Sequence, residues 1–469
     1  EDYKGEFEEK VPLSFGLKHP DSVRLEKRDT YQALIWDLDL KKGESYEFSY
    51  IFDAPNISPE FYLLGPASID GFEEARQWQI ESDEPAGEID HTYVRYEAPL
   101  TQTINFSTDA WSEVTQYLIA ASTFQTGDKY LVAVNFSINN NSTSGNSMAR
   151  VRHGSTGFTD SEFAWETRRS SASDTGHGYQ YFTVWTAVAG EDIHIDISHV
   201  GSTDRTTYIE GYQAFVMNLS EDLAENTDWY YDSASHSGNL GTSWSTDGAT
   251  IDIAGQGHDW MVMGMGKFLS DSTSADFQMR LNNTTDASTH TDVRYETEDA
   301  NDYRPIMIMT GDTIASTETW RVDAQVDTTS HDWETSKIFA LDLALFREHG
   351  IGTDTTSVPI APQSSWVESY SMAGYSVAAS TNTFIWSNEV VDTGENRKVT
   401  YSRVQVEGVT TPTGFDDFSR ELPAGSTDEN AYHNFFVSEL SMGTHLIDVD
   451  LQETVDAVPN PLADIHNLI

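Results

Sequence analysis

Arginine recurs at one place in three short apolar stretches: Met148-Ala149-Arg150-Val151-Arg152, Gln278-Met279-Arg280-Leu281 and Ser402-Arg403-Val404-Gln405-Val406. A guanidinium in mid-strand reaches a carboxylate on the neighbouring strand, and a cross-strand ion pair is favoured over a ligand site. His177 and His194 are of metal-ligand type, but no carboxylate stands at a defined spacing from them, so hydrogen-bonded or surface histidines are the simpler reading. Acidic loops such as Glu296-Thr297-Glu298-Asp299-Ala300-Asn301-Asp302 offer oxygens that suit Ca2+. No EF-hand spacing is present, so a solvated loop is favoured and Ca2+ is the only cofactor left open. With 76 Asp and Glu in the chain, no carboxylate pair can be singled out for glycoside hydrolysis. Trp111, Trp165, Trp229 and Trp244 could stack on sugars, with packing the favoured role. Gly264-Met265-Gly266-Lys267 resembles a phosphate loop but lacks the upstream glycine and continues a strand. Nucleophile-elbow, zincin, Walker and Rossmann patterns are missing, so no catalytic residue is named and a non-enzymatic role is expected. Asn56, Asn105, Asn135, Asn140, Asn141, Asn218, Asn282 and Asn283 each open an Asn-x-Ser/Thr triplet. They are the candidate glycosylation sites, though a Ser- and Thr-rich chain makes such triplets by chance.

These side chains must be carried by strands. Ile193, Ile195 and Ile197 alternate with His194 and Asp196, the period of a strand with one apolar face. The phrase returns in Trp320-Arg321-Val322-Asp323-Ala324-Gln325-Val326 and in Gly443-Thr444-His445-Leu446-Ile447-Asp448-Val449-Asp450-Leu451. A phrase written three times implies a repeated domain. Tyr130 and Trp260 stand 130 residues apart, as do Arg150 and Arg280, which fixes the alignment. Residues 1–100 form an N-terminal β-sandwich domain on this reading. Residues 101–224, 225–350 and 351–469 form three tandem jelly-roll-like β-sandwich repeats in an all-β chain. In the N-terminal domain, Leu34, Trp36, Leu38 and Leu40 and then Tyr46, Phe48, Tyr50 and Phe52 alternate across Lys41-Lys42-Gly43-Glu44, which predicts a hairpin. Residues 463–469 sit where the closing strand of the third repeat belongs, and that segment is expected to pair in its sheet.

At 469 residues the chain holds several cores, and 12% aromatic content argues for packed domains. The formal charge of -49 sets it against nucleic acid and anionic membranes as partners. Without cysteine there are no disulfides and no thiolate chemistry. No apolar run reaches the length of a membrane span, so direct membrane insertion is not expected. The first residue is Glu1 rather than Met, consistent with a leader or upstream region missing from this chain.

Two resemblances add to this reading. Phe52-Asp53-Ala54-Pro55, Ser58-Pro59-Glu60-Phe61-Tyr62-Leu63-Leu64-Gly65-Pro66 and Glu74-Ala75-Arg76-Gln77-Trp78-Gln79-Ile80 resemble a β-sandwich segment of large prokaryotic surface proteins. The Tyr130-type strand, the arginine strand, the Gly190-type strand and the closing strand with Ala214 resemble tandem β-sandwich modules of marine phage fibres and appendages. The resemblances imply a structural and adhesive protein at an extracellular, cell or virion surface. It would assemble with copies of itself or with other surface proteins, a glycan being a further ligand. The alternative is a secreted carbohydrate-binding protein or polysaccharide hydrolase on the same scaffold.

Overall fold

The computed structural model describes residues 2–468 except 14, 19–22, 29–30, 47, 54–59, 75–77, 83–91, 98–99, 105–110, 115–117, 141–145, 159–160, 167–176, 200–204, 222, 270–275, 297–302, 328–330, 347–348, 355–357, 360–366, 378–380, 393–397, 411–417, 423–428, 441 and 455–461. The chain forms two compact units, Glu1–Glu88 and Ile89–Ile469. The first repeat therefore starts before residue 101, because Thr92–Glu97 already pairs with Arg205–Asn218.

In the N-terminal unit, a five-stranded sheet runs Arg24–Lys27, Tyr31–Leu40, Tyr3–Pro12, Ser68–Ile69, Phe72–Glu73. Two small pairs accompany it, Gly16–Lys18 with Ile51–Asp53 and Glu60–Leu64 with Trp78–Ser82. Val11, Phe15, Val23, Leu34, Trp36 and Leu38 make the core. The expected hairpin does not form. Tyr31–Leu40 pairs with Tyr3–Pro12 instead, and among the described residues of the return only Ile51–Asp53 forms a strand. The aromatic alternation was real but serves packing. Phe48 stacks on Phe7 at 4.1 Å and meets Trp36 edge-on at 5.1 Å, so this segment covers the sheet rather than extending it.

In the second unit each repeat supplies eight strand positions, and the same two sheets recur. One sheet has the order first–eighth–third–sixth, the other second–seventh–fourth–fifth. In the first repeat the positions are Thr92–Glu97 with Leu100–Ile104, Ser112–Glu113, Lys129–Asn140, Asn146–His153, Phe163–Glu166, His177–Thr186, Ile193–His199 and Arg205–Asn218. The second has Trp229–Leu240, Thr250–Ile253, His258–Leu269, Asp276–Asn283, Ser288–Glu296, Tyr303–Ile314, Glu318–Val326 and His331–Asp342. The third has Gly352–Asp354 with Val358–Pro359, Val367–Val377, Thr381–Asp392, Lys398–Val406, Phe418–Leu422, Glu429–Leu440, Gly443–Thr454 and Leu462–Leu468. Two four-stranded antiparallel sheets in this interleaved order are a jelly roll, here written three times. Residues 462–468 do close the third one, between Gly352–Asp354 and Thr381–Asp392. Gly264 and Gly266 are packing glycines: a Cβ on either would stand 2.8 Å from Leu281 or Met279 of the facing sheet.

The three jelly rolls close into a ring. The fifth strand of each packs against the sixth strand of the next: Phe163–Glu166 on Tyr303–Ile314, Ser288–Glu296 on Glu429–Leu440, and Phe418–Leu422 on His177–Thr186. A head-to-tail contact that returns to its start after three steps is a closed cyclic arrangement, here inside one covalent chain. One apolar cluster runs through the first two repeats and takes in Trp386 and Val390 of the third.

Candidate functional site

Two regions gather the polar side chains. On the outer sheets, the seventh strand turns its isoleucines and valines inward, so its Asp and His residues share the opposite face with the fourth strand's arginines. Arg150 stands directly across from Asp196, Arg280 from Asp323 and Arg403 from Asp450. Each guanidinium bonds its carboxylate through Nε and Nη2: 2.9 and 2.8 Å to Asp196, 3.1 and 2.9 Å to Asp323, 2.9 and 2.7 Å to Asp450. Trp111 lies over Arg150 at 4.3 Å and Trp244 over Arg280 at 4.2 Å, a geometry that favours cation–π attraction. Under these covers Asp196, at 1% exposure, is as buried as an apolar core residue. The polar face of this strand is thus sealed by arginine and tryptophan.

Next to each invariant pair sits a second cross-strand pair that differs: Arg152 with His194, Asn282 with Arg321, Gln405 with Asp448. His194 accepts from Arg152 Nε at Nε2 (2.7 Å) and donates from Nδ1 to Asp192 (3.1 Å). It belongs to the outer face, while His177 begins a strand of the other sheet and its side chain lies outside the described residues. In the second repeat Arg321 and Asn282 both donate to Asp323, filling its two oxygens.

The second region lies where the ring closes. His433 is fully buried, donates from Nε2 to Met307 O (2.8 Å) and accepts at Nδ1 from Trp386 Nε1 (3.1 Å). Its own carbonyl accepts from Asn135 of the first repeat. Met309 N donates to Asn388 (2.8 Å), and Met307 N to Gln180 (3.3 Å). Lys337, 2% exposed, donates to Tyr181 Oη at 2.9 Å and to Phe182 O at 3.3 Å. These bonds join all three repeats. Donors and acceptors match in one registration only, since a buried polar group left without a partner is costly. The arrangement holds the modules in place. Sequence reading missed His433 and Lys337 because their partners in other repeats, Met307 and Tyr181, are more than 120 residues away.

The glycosylation candidates divide sharply. Asn135 is buried and donates to Gln213 and His433; Asn218 to Asp128 and Tyr130; Asn282 to Asp323; Asn283 to Glu318. Their amide nitrogens are hydrogen-bonded in the folded chain. Asn56, Asn105 and Asn141, and the side chain of Asn140, lie outside the described residues, as do Thr297 to Asp302 of the acidic loop and the side chain of Trp165. Trp229 is core, bonded to Leu219 O at 3.1 Å, so the four tryptophans make no common platform. Among the described residues, no three His, Asp or Glu side chains are grouped to hold a metal ion.

No protein-family model matches this chain, and no curated protein matches it. Among solved structures, the tandem CBM22 domains of Paenibacillus barcinonensis Xyn10C share 9% identity over 54% of this chain and 90% of that one, with a TM-score of 0.16. A triple jelly roll from an archaeal virus shares 10% over 79% and 91%, at 0.18. A protein of the T13 IBDV particle shares 8% over 79% and 81%, at 0.19. Scores this low carry no argument, and the jelly roll stands here on strand order alone.

Proposed function

We propose that this chain is a non-enzymatic structural and adhesive component of an extracellular surface assembly or a virion appendage. The supporting observation is the closed ring. Three like modules joined head to tail give one compact block with three similar outer sheets, a form suited to repeated contact in a larger array. A charge of -49 keeps such blocks apart unless contacts or cations bring them together. Partners on this reading are further copies or other surface proteins. Purified protein viewed by electron microscopy at low and high salt should show regular assemblies.

The half-buried Trp111 and Trp244 favour one second reading, a carbohydrate-binding protein or hydrolase. A polysaccharide screen decides between them. A monomer that stays dispersed at all salt concentrations and grips or cleaves a glycan would sink the structural role.

A further inference from the structure

The outer faces of the first two repeats each carry a second guanidinium beside the recurring pair. Arg321 sends Nε to Asp323 Oδ1 at 2.5 Å, and Arg152 Nε lies 3.4 Å from Asp196 Oδ2. In the third repeat the equivalent cross-strand positions hold Gln405 and Asp448. Asp448 shares the outward face with Asp450, because Ile447, Val449 and Leu451 turn to the interior. It is 7% exposed, and its Oδ1 has no hydrogen-bond partner. With its amide turned to suit its neighbours, Gln405 is engaged elsewhere, donating to Asp450 at 3.3 Å and accepting from Arg403 at 3.0 Å. Glu368 stands opposite Asp450 on the edge strand. Burial, and then the charges of Asp448 and Asp450, push its carboxyl above the usual range. Asp448, Asp450 and Glu368 thus share this face with Arg403, whose Nε and Nη2 both go to Asp450.

We propose that the outer face of the third repeat binds a guanidinium or ammonium group between Asp448 and Glu368, taking from outside the cation that the other repeats carry in their own strands. An orphaned, nearly buried carboxylate needs a charged donor, and a planar guanidinium can serve two carboxylates at once. The site stands independently of the assembly reading. The cation can arrive as a free small molecule or as an Arg or Lys side chain of another protein molecule.

The test compares the full chain with Asp448→Asn and Asp448→Arg in thermal melts, with L-argininamide or tetramethylammonium at matched ionic strength. Wild type should gain several-fold more from argininamide than from tetramethylammonium, and both variants should lose that excess. Asp448→Arg, which copies Arg321, should melt above wild type without ligand. Sedimentation velocity separates the sources: if a second copy supplies the group, wild type self-associates, argininamide disperses it, and neither variant associates. Equal shifts for both cations in all three proteins, with identical sedimentation, would overturn the proposal. Should Asp448→Arg not fold, Asp448→Asn alone still decides.

Discussion

The outer faces and the ring junction treat the same threefold repetition in opposite ways. Outside, the Arg–Asp pair is the same in every repeat, at 150 and 196, 280 and 323, 403 and 450. Inside, Gln180, Met307 and His433 occupy matching places on the sixth strands, opposite Asn135, Met265 and Asn388, yet each makes a different contact. A pair within one sheet serves that module's own folding, so one solution can be used three times. A contact between modules must also say which neighbour belongs there, and three different solutions make the ring close in one order only.

The largest effect should come from removing an element of one module. Deleting residues 462–469 takes out a strand paired on both sides, which leaves Thr381–Asp392 with an open edge. Calorimetry should show the third repeat's transition lost and proteolysis confined to it. A truncated chain that melts like the full one would mean this strand belongs to no jelly roll.

Next come the outer pairs. Asp323→Ala strands Arg280, Arg321 and Asn282, and should cost about 3–5 kcal/mol in urea unfolding. Asp450→Ala should cost less, since Asp450 is 6% exposed where Asp323 is fully buried. Equal costs would break the distinction between the repeats.

At the junction, His433→Leu removes the His433 partner of Trp386 Nε1 and of Met307 O and should cost about 2–4 kcal/mol. His433→Gln keeps one donor and one acceptor and should recover most of it, a difference read from unfolding midpoints. If both variants lose the same amount, packing rather than hydrogen bonding holds the junction.

The smallest effect lies outside both regions and serves as a control. In the N-terminal unit, burial and then the charge of Glu74 raise Glu9 to about 7. A raised carboxyl favours the folded state while protonated. Its contribution is complete below the unfolded value near 4.5 and is lost as pH rises through about 7. Glu9→Gln should flatten the unit's melting temperature across that window without moving the ring's transition.

The repeats were legible because burial imposes a period of two on any strand, and the seventh-strand phrase keeps it three times. Strand pairing of Arg150 and its counterparts followed from the same logic. The second strand of the first repeat was not legible, since Ser112–Glu113 is too short to show a period. The return after Lys41-Lys42 misled because an aromatic stripe packs on a sheet face as readily as it joins a sheet. The junction left no local trace at all: nothing near His433 in sequence announces Met307 or Asn135.

Ring closure also sets a schedule for synthesis. His177–Thr186 waits for Phe418–Leu422, which leaves the ribosome more than 230 residues later. At about 5–20 residues per second, that face of the first module stays uncovered for roughly 10–50 s. During that interval a neighbouring nascent chain can offer the same strand, and the swapped ring it would form is the error this architecture has to outrun.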